Sequence, residues 1–190
     1  MNLPNRLTLL RIFMVPLFMV FAAEPPAFLH GQIAVFLVKY GMIIAGAVFV
    51  AAFATDILDG FIARKRNLVT DFGIFLDPVA DKLLVTAALV ALASRGIIGA
   101  WVPVIIISRE LIVTGMRLLG ANKGVVLAAG KLGKAKTFVQ FTALTTIYFQ
   151  NFNIAALINI NAGVVLLYLA TLLTLVSGAD YIVRNRSLFA

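Results

Sequence analysis

Four aspartates are the residues of this chain best suited to chemistry. They come in two pairs, Asp56 with Asp59 and Asp77 with Asp81, in a sequence that is otherwise mostly hydrocarbon. A carboxylate inside a membrane is costly and by default marks a functional site. Spacings of i,i+3 and i,i+4 put each pair on one helix face. Carboxylates crowded in a low-dielectric place repel one another and take up protons unless cations neutralise them. Oxygen-only ligands suit hard cations, Mg²⁺ or Mn²⁺. Four acids are enough for two such ions, and two ions about 3.5–4 Å apart form the usual clamp on an in-line phosphoryl displacement. Gly60 directly follows the second acid and lets a nucleotide approach the backbone. Gly73 offers the same from the second helix, and Ala63 keeps the groove shallow.

The blander reading is a set of helix-end acids paired with lysines and arginines. One such acid would leave that reading open; four at this spacing, with Gly and Ala at the approach positions, argue against it. Asp71 is different: with Thr70, it is a candidate N-cap of the second helix. Asp180 reads as a structural or charge-paired residue, and Glu110 as a salt-bridge partner for one of the arginines rather than a base.

A second group is basic. Arg109 and Arg117 are eight residues apart, just over two helical turns, and so lie on nearly one face. Lys131, Lys134 and Lys136 crowd the start of the next helix. Arginines offer a phosphate a bidentate fork, so this cluster suits an acceptor phosphate. The alternative is that these cations are topological anchors reaching to anionic headgroups. For the lysines the two readings stand level; for the arginines the ligand role is favoured.

The elements that must carry these groups follow from composition. Of 190 residues, 62% are hydrophobic and 13% charged, with mean hydropathy +1.04. Soluble domains are nearer to about 45–50% and about 25%, so the solvent is a bilayer. The expected fold is all-α: a polytopic integral membrane protein of a single domain, 1–190. It has about six transmembrane helices, an N-terminal interfacial segment and a cytoplasm-facing polar cavity. The expected segments run from Leu7 to Ala23, Gln32 to Ala63, Asp71 to Ala93, Ile97 to Leu119, Leu132 to Phe149 and Ile154 to Val183. Residues 3–8 are expected to lie along the interface before the chain turns in. Glu24-Pro25-Pro26 stands where a leader peptide would have a small-residue cleavage site, so the first segment reads as a retained span. There is no Cys, which excludes disulfides, Fe–S clusters and thiol catalysis. A zinc site would have only His30 and carboxylates. The +8 net charge then points to membrane lipid and topology rather than to nucleic acid.

Charge also orients the spans. With a cytoplasmic N-terminus and alternating helices, one side collects Arg6, Arg11, Arg64, Lys65, Arg66, Lys82, Arg109, Arg117, Lys123, Lys131, Lys134, Lys136, Arg184 and Arg186. The other keeps Lys39 and Arg95. By the positive-inside rule both termini are cytoplasmic. All four acids fall on that side, on two antiparallel neighbouring helices joined by the turn from Arg64 to Thr70.

The run from Asp56 to Asp81 resembles the motif of the CDP-alcohol phosphotransferases, D-x2-D-G-x2-A-R-x8-G-x3-D-x3-D, with all eight fixed positions filled. The resemblance implies metal ligation by Asp56, Asp59, Asp77 and Asp81, with Asp81 also the general base. It implies contacts to the CDP moiety from Gly60, Arg64 and Thr70, and donor binding by the segment from Asn5 to Thr8. Ala63 and Gly73 complete the expected donor-binding set. Further pieces resemble the branch that passes a phosphatidyl group from CDP-diacylglycerol to sn-glycerol 3-phosphate. They are residues 2–11, residues 76–84, Arg109-Glu110 with Arg117, and residues 130–137. A homodimer in the cell membrane is implied as well. The rivals are a branch with another acceptor, such as phosphatidylglycerol, a divalent-cation transporter, and a non-enzymatic lipid-binding scaffold.

Overall fold

The computed structural model describes residues 3–66, 71–124, 127, 130–149 and 160–186. Within these, the side chains of 3–5, 57–66, 71–75, 77–78, 131 and 160–161 are outside the description. Six helices account for almost all of it: α1 Leu3–Ala22, α2 Gln32–Arg66, α3 Asp71–Ser94, α4 Trp101–Asn122, α5 Lys131–Tyr148 and α6 Ile160–Arg184. The stretches Gln32–Asp56 and Ala162–Arg184 are long and apolar enough to cross a membrane.

The chain forms two compact units, Met1–Ile97 with Tyr148–Ala156, and Ile98–Ile147 with Leu157–Ala190. In the first, α1 is the helix on which both α2 and α3 pack; α2 and α3 meet each other over a much smaller patch. The expected contact between α2 and α3 is present among the described residues, beside the larger contacts of each with α1. The buried residues explain this. Thr8, Arg11, Phe18 and Ala22 make one stripe along α1. Ala45, Phe49 and Ala52 make another along α2, and Ala80, Leu84, Ala87 and Ala91 a third along α3. Small residues let backbones approach: a β-carbon at Gly41 would stand 2.6 Å from the Phe21 carbonyl oxygen. Phe18, Phe49 and Tyr148 form an aromatic cluster, with Phe18 edge-on to Tyr148 at 5.3 Å and 6.3 Å from Phe49. The Tyr148 hydroxyl donates to the Ala88 carbonyl, 2.8 Å away.

α3 ends in a Schellman motif. Ile97 N–H bonds the Leu92 carbonyl and Gly96 N–H the Ala93 carbonyl, with Gly96 at φ 67°, a conformation that glycine adopts without strain. Arg95, beside it, turns its guanidinium onto the last carbonyls of α1: Nε donates to Ala22 at 2.6 Å and Nη2 to Ala23 at 3.0 Å. A cation at a helix C-terminus also complements the dipole.

In the second unit α4 packs on α6. Trp101 stacks on Tyr168 at 5.4 Å, and Val113, Met116 and Tyr181 form a buried cluster.

Boundaries differ from expectation at α1 and α4. α1 is continuous from Leu3, because a proline such as Pro4 is tolerated in the first turn, so residues 3–8 share one helix with the residues that follow. α4 starts at Trp101 rather than Ile97, after the turn that ends α3. It runs through Gly120 to Asn122 and stops at Gly124, φ 71°. α6 is described only from Ile160, so its expected start at Ile154 lies outside the described residues.

Candidate active site

The acids in the first unit sit at the ends of two helices. Asp56 and Asp59 are in the last third of α2, Asp77 and Asp81 in the first half of α3. Asp56 continues the α2 stripe one turn past Ala52, on the side that meets α1. There it pairs with Arg11: Nη1 to Oδ1 is 2.7 Å, with the arginine side chain 1% and the aspartate 37% exposed. Asp56 has no second partner residue among the described residues. Asp81 is exposed on α3 beside the fully buried Ala80. The side chains of Asp59 and Asp77 lie outside the described residues, and among the described ones no three ligating side chains cluster.

The basic group in the second unit is more elaborate than a row of anchors. Arg109 is mostly buried: Nη1 bonds Glu110 at 3.2 Å, and Nη2 donates to the Ser177 hydroxyl at 3.2 Å. Ser177 in turn donates to the Thr174 carbonyl, so its oxygen is fixed for Arg109. Nε of Arg109 is buried without a hydrogen-bond partner among the described residues. Glycine frames the side chain: a β-carbon at Gly178 would stand 2.9 Å from Arg109 Cγ, and one at Gly133 would be 3.7 Å from Nη2. Lys136, buried, places its ammonium on Glu110. Arg117 is exposed at α4's far end, where Nε donates to the Tyr181 hydroxyl at 3.4 Å and the guanidinium lies over that ring at 5.8 Å. Lys134 is exposed. Nearby, Asp180 pairs with Arg184 at 2.7 Å.

With this geometry in view, the comparisons are specific. The sequence pattern of the CDP-alcohol phosphatidyltransferases matches residues 1–176. This chain belongs to that family. A Bacillus subtilis (strain 168) relative, named CDP-diacylglycerol–glycerol-3-phosphate 3-phosphatidyltransferase, is 41% identical over 184 residues, covering 97% of this chain and 95% of the relative. A Mycobacterium tuberculosis (strain H37Rv) relative, named probable phosphatidylglycerophosphate synthase, is 39% identical over 183 residues, covering 96% and 81%. A Rickettsia felis relative with the same name as the Bacillus protein is 33% identical over 180 residues, covering 95% and 93%.

Within this family member the described side chains settle some roles and leave others untouched. Glu110 and Asp180 are the ion-pair partners they were expected to be. Thr8 is buried on α1, one turn before Arg11. Thr70 lies outside the described residues. So do the side chains of Asn5, Gly73, Ala63, Arg64 and Lys131, the position of Gly60 with respect to any ligand, and the capping role of Asp71. Sequence reasoning missed three partners: Arg11 on Asp56, the Ser177-Gly178 seat of Arg109, and Tyr181 under Arg117. Arg11 carried one usable signal, its i+3 spacing from Thr8. Ser177-Gly178 carried another, a polar and a small residue adjacent in a helix of hydrocarbon.

Proposed function

We propose that this protein transfers the phosphatidyl group of CDP-diacylglycerol to sn-glycerol 3-phosphate, giving phosphatidylglycerophosphate and CMP. The observation that carries the reading is near-full-length similarity to relatives named for that reaction, in a chain whose family motif is complete from Asp56 to Asp81.

Asp56, Asp59, Asp77 and Asp81 hold two divalent cations, Mg²⁺ or Mn²⁺. The donor set fits: carboxylate oxygens with no thiolate or imidazole among them, and an Asp56 that stays 37% exposed while paired to Arg11. When bound, the ions supply Lewis-acid stabilisation of charge on the pyrophosphate oxygens. Asn5, Thr8, Gly60, Ala63, Arg64, Thr70 and Gly73 bind the donor. Asp81 accepts the proton of the acceptor hydroxyl. The hydroxyl oxygen bonds to the β-phosphorus while the bond from that phosphorus to the bridging oxygen breaks, and CMP leaves with the electron pair, its charge met by Arg64. A chain without Cys favours this direct displacement over a covalent enzyme intermediate.

The acceptor phosphate is met by Arg109 and Arg117 with Lys131, Lys134 and Lys136. The buried Nε of Arg109, lacking a partner among the described residues, supports that role, since a buried donor left unpaired is costly. Glu110 tempers the charge of Lys136 and Arg109. The protein is read as multi-pass in the cell membrane, with both termini and the site cytoplasmic, on the asymmetry of its cations, and as a homodimer by family likeness.

The test is an acceptor panel. Purified protein with CDP-diacylglycerol and Mg²⁺ should release CMP with glycerol 3-phosphate and stop on chelation. Serine, inositol phosphate and phosphatidylglycerol should be poor acceptors. Preference for phosphatidylglycerol would move the protein to another branch. Ion flux in liposomes without CMP release would refute the enzyme.

A further inference from the structure

We propose that Arg11 is a positioning residue of the carboxylate centre, holding the Asp56 carboxylate by one oxygen so that the other stays open to a ligand. The inference rests on the reading of the four aspartates as a metal site. Three observations carry it. First, Arg11 does not behave as a topological anchor. Such a side chain runs its stem along apolar surface and keeps its head in water, as the exposed position of Arg6 on the same helix allows. Arg11 is 1% exposed, and a cation buried in an apolar helix pair is costly unless it is paired.

Second, its place is set by helix packing rather than by its own flexible reach. Arg11 is seven residues before Phe18, and Asp56 seven after Phe49, the two rings that meet across α1 and α2. On antiparallel helices both therefore lie two turns from the aromatic cluster, at one level. Third, Nη1 stands 2.7 Å from Oδ1, and Asp56 still keeps 37% of its side chain exposed. A carboxylate gripped on one side and open on the other is what outer partners of ligating groups achieve, and their loss usually weakens metal binding about 10–100-fold.

The rival is that Arg11 is only a counter-ion competing for Asp56. It predicts the opposite sign: tighter metal binding once the arginine is gone. Mn²⁺ titration of the purified full chain in detergent, followed by the electron paramagnetic resonance signal of free Mn²⁺, decides without turnover. Arg11→Gln should raise the Mn²⁺ Kd about 10–100-fold, and Arg11→Lys should recover part of the loss. An unchanged or lowered Kd in Arg11→Gln overturns the proposal. Arg95→Gln is the control, because it frees the other end of α1 without touching an acid; an equal rise there would show a mere stability effect and also overturn it. If Arg11→Gln does not fold, Arg11→Lys decides: a several-fold weaker Kd at wild-type melting temperature supports the role, and a wild-type Kd refutes it. Wild-type protein that binds no Mn²⁺, or binds it equally after D59N/D77N, sinks the metal-site reading itself. Wild-type binding with an unaltered Arg11→Gln sinks only the role of Arg11.

Discussion

Gly178→Ala tests the seat of Arg109 with a single methyl group. The new β-carbon would lie 2.9 Å from Arg109 Cγ, 3.8 Å from Nε and 4.0 Å from Cβ. Carbon atoms pack best at about 3.5–4.0 Å, so Cγ must retreat by roughly 0.6 Å or more. Cγ is near the root of the side chain, and displacing it swings the guanidinium away from its 3.2 Å contact with Ser177. Overpacking costs about 1–3 kcal/mol, while Ala gains about 1 kcal/mol over Gly within a helix. The net loss of about 0–2 kcal/mol leaves a folded protein. Losing a charged hydrogen bond to the acceptor phosphate costs about 1.5–3 kcal/mol. At about 1.4 kcal/mol per tenfold, that is a rise of about 10–150-fold in the KM for glycerol 3-phosphate. The assay is CMP release in mixed micelles, varying each substrate with the other saturating. The donor KM should hardly move. An unchanged acceptor KM, or an equal rise for both substrates, would refute the reasoning.

Other perturbations address the rest of the site and fold. Asp81→Asn should lower kcat by about 10²–10⁴ without unfolding the protein; near-normal CMP release would remove Asp81 as the base. Gly41→Ala sets a methyl group 2.6 Å from a backbone oxygen that cannot swing aside. It should cost about 1–3 kcal/mol, read as a lower melting temperature in detergent, and an unchanged one would argue against the close approach of α1 and α2. Arg95→Gln strips a cation from the Ala22 and Ala23 carbonyls and should destabilise by about 1.5–3 kcal/mol. Both substrate KM values of the protein that remains folded should stay the same, and a selective loss for one substrate would contradict a purely structural role.

The sequence by itself determined what is local. Helical periodicity is a property of a few consecutive residues, so the spacing of Asp56 with Asp59 and of Asp77 with Asp81 already placed each pair on one face. The same reasoning located the described ends of the helices to within a few residues. It failed at two ends: the first helix starts at Leu3 rather than Leu7, and Gly120, just past the expected end at Leu119, lies buried inside α4. Only the tertiary structure decided which faces meet. Arg6, Arg11, Arg95 and Arg109 look alike as letters, each a cation in a mostly apolar sequence. Packing separates them into an exposed cation, a partner for Asp56, a cap on α1 and a framed guanidinium. The register of α1 on α2 is set by backbone approach at Gly41 and by the rings of Phe18 and Phe49, residues distant in the chain. That register, which no local pattern encodes, is what puts Arg11 on Asp56.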